Sequence, residues 1–313
     1  MKVGVSLRRS AGAVLVIATW LSMPAGAQAG QALVLDETVA PGTNYDVAEF
    51  RYWQPVVAGP LRGVVVLVPG SNGDGRPMAE DAFWQALATR YSMALVACRF
   101  TDRPHDQAFI EEYVDVSRGS GQALVDALGA FARRANRPEV AGAPLLLWGM
   151  SAGGQFNYEF AAWKPERVIA FVVNKGGIYY SALVPEPARR VPALLFVGEK
   201  DLAFRTNTIV GLFAVNRRAG ALWALVEEPD TAHVVGRSRD LSAVFFDDVL
   251  AMRLGPGGLA PVEDQAGFIG DLGSDTFQPV AGATAPAVPT AWLPAERTAR
   301  AWRAVVTGKP FEP

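Results

Sequence analysis

The chain has 313 residues, 50% of them hydrophobic and 19% charged, with a formal net charge of −2. That balance excludes a disordered chain, and the absence of a basic cluster leaves no electrostatic reason to bind nucleic acid. A single cysteine, Cys98, excludes an internal disulfide, so packing must hold the fold.

At the N-terminus Lys2, Arg8 and Arg9 precede an apolar run from Ala11 to Leu21, and Ala25-Gly26-Ala27 offers a small-x-small cleavage site. This pattern predicts a signal peptide over residues 1–27 and an exported protein, periplasmic or extracellular. Its removal takes away those three basic groups and no acid, which moves the charge from −2 to −5. Beyond it no apolar run approaches the roughly 18 residues of a membrane span, so the mature protein is expected to have none.

Apolar, β-branched runs then alternate with amphipathic stretches. Strands are predicted at Ala32–Thr38, Val47–Trp53, Gly63–Val68, Met93–Ala97, Pro144–Trp148, Val168–Val173, Ala193–Val197 and Leu222–Val226. The run Val64-Val65-Val66-Leu67-Val68 has the character of a strand buried on both faces, as in parallel sheets, and the two earliest strands suit an antiparallel edge. Helices are predicted over Met78–Tyr91, Gly121–Arg134, Ser151–Trp163, Thr206–Arg218, Leu241–Arg253 and Pro294–Val306. The resulting class is α/β, a sheet covered by helices in one domain spanning residues 28–313. Residues 255–290, rich in Gly, Pro and Ala, read as an irregular excursion that opens a C-terminal extension over about 255–313. Cys98, closing the run from Met93 to Ala97, reads as a buried small hydrophobe.

One turn carries chemistry. Leu145-Leu146-Leu147-Trp148 leads into Gly149-Met150-Ser151-Ala152-Gly153 and then a helix. A serine in strand-Gly-x-Ser-x-Gly-helix sits on a strained bend with its oxygen above the sheet, beside the positive end of the helix. A serine hydroxyl is a weak nucleophile and needs a neighbouring base. The chain has two histidines. His233 follows the Leu222–Val226 strand and comes after the serine in the chain, whereas His105 precedes it and reads as a surface or cleft-rim residue. Asp201, after the strand ending at Val197, falls between serine and histidine in the order Ser, Asp, His, and would hold the imidazole in its working tautomer. Glu199 and Asp230 are its rivals. Backbone N–H groups of Ala152 and of Ser71, in Pro69-Gly70-Ser71-Asn72-Gly73-Asp74-Gly75, are the candidate oxyanion donors, with Asn72 behind them. Too few histidines and cysteines are present for the usual zinc ligand sets, and no metal or cofactor is expected.

With these elements in order, residues 45–253 resemble the α/β-hydrolase superfamily, among its branches the exported bacterial esterases related to polyhydroxyalkanoate depolymerases, feruloyl esterases and dienelactone hydrolases. The resemblance implies an α/β-hydrolase fold with about eight mostly parallel strands, and ester hydrolysis through an acyl-enzyme on small or polymeric esters. Pro69-Gly70 stands where many relatives have His-Gly. Only Asn174 to Val191 separates the sixth and seventh strands, too little for a helical cap, so no large cap domain is expected and Tyr179 and Tyr180 are candidates to line an open cleft. A serine peptidase, an acyltransferase or an inactive binding protein on the same fold are the alternatives, and oligomeric state is left open.

Overall fold

A computed structural model describes residues 1, 4, 31–255, 258–263, 265–281, 283 and 290–311. Apart from Met1 and Gly4, the expected signal peptide lies outside the described residues. From Gln31 onward the chain forms a single compact unit.

Its centre is an eight-stranded sheet built from β1 (Leu33–Val39), β2 (Val47–Gln54), β3 (Val64–Val68), β4 (Ala94–Thr101), β5 (Leu145–Met150), β6 (Val168–Asn174), β7 (Ala193–Gly198) and β8 (Trp223–Glu228). The spatial order is β1-β2-β4-β3-β5-β6-β7-β8. β2 pairs antiparallel with both β1 and β4, and the strands from β4 to β8 are parallel. The sequence explains this division. β3, β5, β6 and β7 are unbroken apolar runs, whereas β1 alternates half-buried and exposed positions, as an edge strand does.

Side chains of successive strand residues face opposite ways, so each central strand feeds two cores. Val64, Val66, Val68, Leu145 and Leu147 pack on one side with α2 (Ser120–Arg134), α4 (Ala152–Trp163) and α6 (Ala203–Arg218). Val65, Leu67, Leu146 and Trp148 pack on the other with α1 (Ala82–Arg90), α7 (Ser238–Arg253) and α8 (Glu296–Val306). Two short helices, α3 (Glu139–Gly142) and α5 (Glu186–Arg189), lie in connections. Cys98 is buried in β4, and burial pushes its thiol far above the ordinary range.

The segment after residue 255 differs from the irregular excursion expected of it. β9 (Leu254–Gly255) pairs with β10 (Gly258–Leu259), and β11 (Phe268–Asp271), β12 (Thr276–Pro279) and β13 (Ala291–Leu293) form a small antiparallel sheet. Strands of two to four residues are too short to display a two-residue period, which is why the sequence hides them. Tryptophans fix them instead. Trp292 Nε1–H donates to the Ala266 carbonyl at 3.0 Å, and the buried Trp302 Nε1–H donates to the Leu225 carbonyl of β8 at 2.8 Å.

The strand order places a crevice between β3 and β5. The chain leaves β3 for β4 on one side and returns to β5 on the other, and in open α/β sheets ligands bind at the carboxyl ends of the strands where the order reverses in this way. The loops carrying Ser71 and Ser151 both open there.

Candidate active site

Ser151 joins β5 to α4 with φ 54° and ψ −124°, a region that L-residues rarely adopt and that costs on the order of 1–3 kcal/mol. Backbone packing enforces it. A Cβ on Gly153 would fall 2.1 Å from the Val68 carbonyl oxygen, and one on Gly149 would fall 2.4 Å from the Gly153 carbonyl. With side chains absent from both positions, the helix start approaches the end of β3. The Ser151 N–H donates to the Asn174 carbonyl at 2.7 Å, and the Ser151 carbonyl accepts the N–H groups of Gly154 and Gln155. Ala152 is the first residue of α4, where backbone N–H groups have no partner within the helix.

Asp201 and His233 meet. His233 Nδ1–H donates to Asp201 Oδ2 at 2.8 Å, with the Asp201 side chain 2% exposed and the imidazole 28% exposed. The other carboxylate oxygen accepts the Leu202 N–H at 2.7 Å and the Arg205 guanidinium at 3.0 Å. Burial alone would raise the Asp201 carboxyl. The hydrogen bonds from His233, the Leu202 amide and Arg205 outweigh it and hold the group below the usual carboxylate range. An ionised Asp201 fixes the proton on Nδ1 and leaves Nε2 able to accept one.

The rival acids are engaged elsewhere. Glu199 Oε2 accepts the Asp230 N–H at 2.7 Å, and the exposed Asp230 carboxylate pairs with Lys200 Nζ at 2.5 Å.

Ser151 and His233 follow strands three positions apart in the sheet, and neighbouring strands lie about 4.8 Å apart, yet the segment after His233 reaches back past β7 to the end of β6. Asn174, at the end of β6, marks that return. Its carbonyl accepts the Ser151 N–H, while its Nδ2–H donates to the Val235 carbonyl at 3.1 Å and to Ser238 Oγ at 2.8 Å. One buried side chain thus touches the histidine loop while its backbone holds the serine turn. Sequence reasoning missed it, because a polar pair such as Asn174-Lys175 closing an apolar strand ordinarily marks the approach of solvent.

The loop after β3 lies alongside. A Cβ on Gly70 would stand 3.6 Å from the Ser151 Cβ. Ser71 and Asn72 line a cleft of about 420 Å³ together with Arg103, His105, Phe109 and Ile110. The backbone N–H of Asn72 donates to the Tyr113 hydroxyl at 3.2 Å, and its Oδ1 accepts the Asp102 N–H at 2.8 Å, so Asn72 shapes the cleft floor. His105 Nε2 lies 3.4 Å from Asp102 Oδ2 on the rim. Among the described residues no cluster of three or more His, Cys, Asp or Glu side chains is placed to hold a metal ion, and no helix is long and apolar enough to cross a membrane.

No family model and no curated protein matches the chain in sequence. Solved structures do match in shape. A poly(3-hydroxybutyrate) depolymerase from Bordetella parapertussis superposes with a TM-score of 0.52 at 18% identity, covering 72% of this chain and 92% of its own. A Pyrobaculum calidifontis esterase gives 0.48 at 17% identity over 71% and 86% of the two chains. A dienelactone hydrolase described as putative, from Klebsiella pneumoniae, gives 0.46 at 19% identity over 71% and 98%. The chain has the α/β-hydrolase fold.

On this α/β-hydrolase scaffold the β6–β7 connection holds only loop and the four-residue α5, and no helical cap stands there. Of the two tyrosines in that connection, Tyr179 turns inward. Its ring packs edge-on against Tyr158 with centroids 5.0 Å apart, and burial pushes its hydroxyl well up. Tyr180 is exposed and lines a separate depression with Asp115, Glu159 and Trp163, a hollow bordered by neither Ser151 nor His233. Buried Glu159 fixes this stretch by accepting the N–H groups of Tyr180 and Ser181.

Proposed function

We propose that the chain is a serine carboxylic-ester hydrolase that works through an acyl-enzyme. Ser151 Oγ attacks the ester carbonyl while His233 Nε2 takes its proton, and the imidazolium then protonates the departing alkoxide. A water molecule, deprotonated by the same nitrogen, releases the acid and restores Ser151. Asp201 holds the ring in the required tautomer and stabilises the imidazolium without taking its proton. The Ala152 and Ser71 N–H groups receive the carbonyl oxygen as it becomes negative.

His233 carries this reading. Its bond to a buried, ionised Asp201, in a loop that Asn174 ties to the serine turn, is the arrangement a general base needs and is surplus to a loop with only a structural role. Ser71 opens onto a cleft next to the turn where Gly70 approaches Ser151, and the β6–β7 connection carries no helical cap, two features that support a bulky ester as substrate. A fluorophosphonate probe is expected to label Ser151, and Ser151→Ala to lose both labelling and p-nitrophenyl ester turnover by at least about 10⁴-fold. Turnover of peptides but not of esters, or labelling that survives in Ser151→Ala, would refute the proposal.

A further inference from the structure

Two charged side chains at the carboxyl edge of the sheet are fully inside the protein: Lys175, 1% exposed, and Glu228, 2% exposed. Such residues are almost never buried unless paired, and these are paired with each other. Lys175 Nζ donates to Glu228 Oε2, and also to Asn174 Oδ1 at 3.0 Å. The remaining carboxylate oxygen, Glu228 Oε1, accepts the Arg237 N–H at 2.6 Å. Gly236, with φ 57°, presses its backbone against the same carboxylate, where a Cβ would stand 2.4 Å from Oε1. Asn174 adds its bonds to the Val235 carbonyl and to Ser238 Oγ, and Ser238 Oγ–H closes the set by donating to the Val235 carbonyl at 2.7 Å. From Val235 to Ser238, the stretch that follows His233 is therefore suspended from a buried polar anchor rooted at the ends of β6 and β8.

Stability does not account for this anchor. Replacing a buried ion pair by apolar side chains of similar volume is often neutral or stabilising, because removing two charges from water offsets their attraction. What an ion pair with committed hydrogen bonds provides is one geometry rather than several. The hydrophobic contacts of this loop cannot do so, since Val234 and Val235 are exposed.

We propose that Lys175, Glu228 and Asn174 are positioning residues that act through the Val235–Ser238 backbone to hold His233 over the serine turn. Lys175 orients the Glu228 carboxylate, the carboxylate seats Arg237 and Gly236, and Asn174 fixes Val235 relative to Ser151. The inference rests on His233 being the base. Misplacing a reacting group by about 1 Å costs on the order of 100-fold in rate, so a loop without its seat loses turnover before it loses substrate binding.

Two double variants isolate the seat. Lys175→Met with Glu228→Gln removes both charges and keeps an acceptor for the Arg237 N–H, whereas Lys175→Met with Glu228→Leu removes the charges and the acceptor. The first, whose amide is no longer oriented by Lys175, is expected to lose about tenfold in kcat, and the second about 100-fold, both with KM within about twofold. Ser238→Ala, which deletes one hydroxyl, is expected to fall between them and serves if the leucine variant does not fold. The imidazole ¹⁵N shifts supply a readout independent of catalysis, because the chain has only one other histidine, His105. The hydrogen-bonded Nδ1–H signature of His233 is expected in the glutamine variant and lost in the leucine variant. Equal kcat in the two doubles, or an unchanged His233 signature in the leucine and Ser238→Ala variants, overturns the inference. A native protein that fluorophosphonate leaves unlabelled at Ser151 overturns the esterase reading instead, and the ¹⁵N comparison still decides the positioning.

Discussion

At the end of β5 the chain is shaped by backbone atoms meeting backbone atoms, whereas beyond β8 it is shaped by buried polar side chains. Ser151 takes its unusual dihedrals because Gly149, Gly153 and the end of β3 leave no other path. His233 takes its place through Asp201 and through the loop held by Asn174 and Glu228. A steric constraint of the first kind is short-ranged and indifferent to pH. A polar constraint of the second kind responds to ionisation and can be weakened one hydrogen bond at a time. The difference teaches that the serine turn is readable from five consecutive letters, while the histidine loop is specified by residues scattered between 174 and 238.

The largest expected effect tests the steric side. In Gly153→Ala the new methyl meets the Val68 carbonyl oxygen at 2.1 Å, and that oxygen belongs to a central strand that cannot retreat. The variant is expected to lose about 3 kcal/mol, read as a lower urea midpoint. A native midpoint would show that the turn tolerates bulk and is held some other way.

Next comes the polar side. Asp201→Asn is expected to lower kcat by about 10³–10⁴-fold with the fold intact, because an amide no longer fixes the proton on Nδ1. Its effect on stability has a definite sign. Burial pushes the Asp201 carboxyl up, but bonds from His233, the Leu202 amide and Arg205 hold it below its ordinary range. The stabilisation it supplies is thus full above the unfolded-state value, about 3.9, and disappears as pH falls through the lower folded value. Urea midpoints of the native protein should fall across that acidic window, and Asp201→Asn should lack this component; parallel curves would argue against an ionised Asp201 in the folded state.

The smallest effect sharpens the contrast between contacts that position and contacts that decorate. Asp230 lies only three residues before His233, yet its carboxylate is exposed and engaged with Lys200. Asp230→Asn is expected to leave kcat/KM within about twofold, since exposed pairs contribute little. A loss approaching that of Asp201→Asn would mean that the acid has been misassigned.

Much of the fold was legible because its signals are local. The apolar run of β3, the alternation of β1 and the strand-turn-helix around Ser151 each announce themselves within a few residues. The pairing of Asp201 with His233 was also readable, since each closes a loop directly after a strand that its apolar run announces. Asn174, Lys175 and Glu228 were not, because each stands at or just past the end of its strand, where a polar residue ordinarily meets solvent, yet all three are buried. Tyr179 misleads for a related reason: an aromatic pair in a loop after β6 suggests a wall, and which ring turns inward depends on Tyr158, more than 20 residues earlier. The small sheet of β11, β12 and β13 escaped because strands so short carry no period.

The indole of Trp302 has a consequence for dissecting the protein. By reaching the Leu225 carbonyl it occupies an outward-facing acceptor on the last strand of the main sheet, and the helix that carries it is packed into the core on that side. A chain truncated at Arg253 would retain every residue of the proposed chemistry, but it would also present a raw strand margin and uncovered apolar surface, a template for pairing with other molecules. The tail is best treated as a cover for that margin, and a gene fragment ending before it should yield aggregates instead of a smaller catalyst.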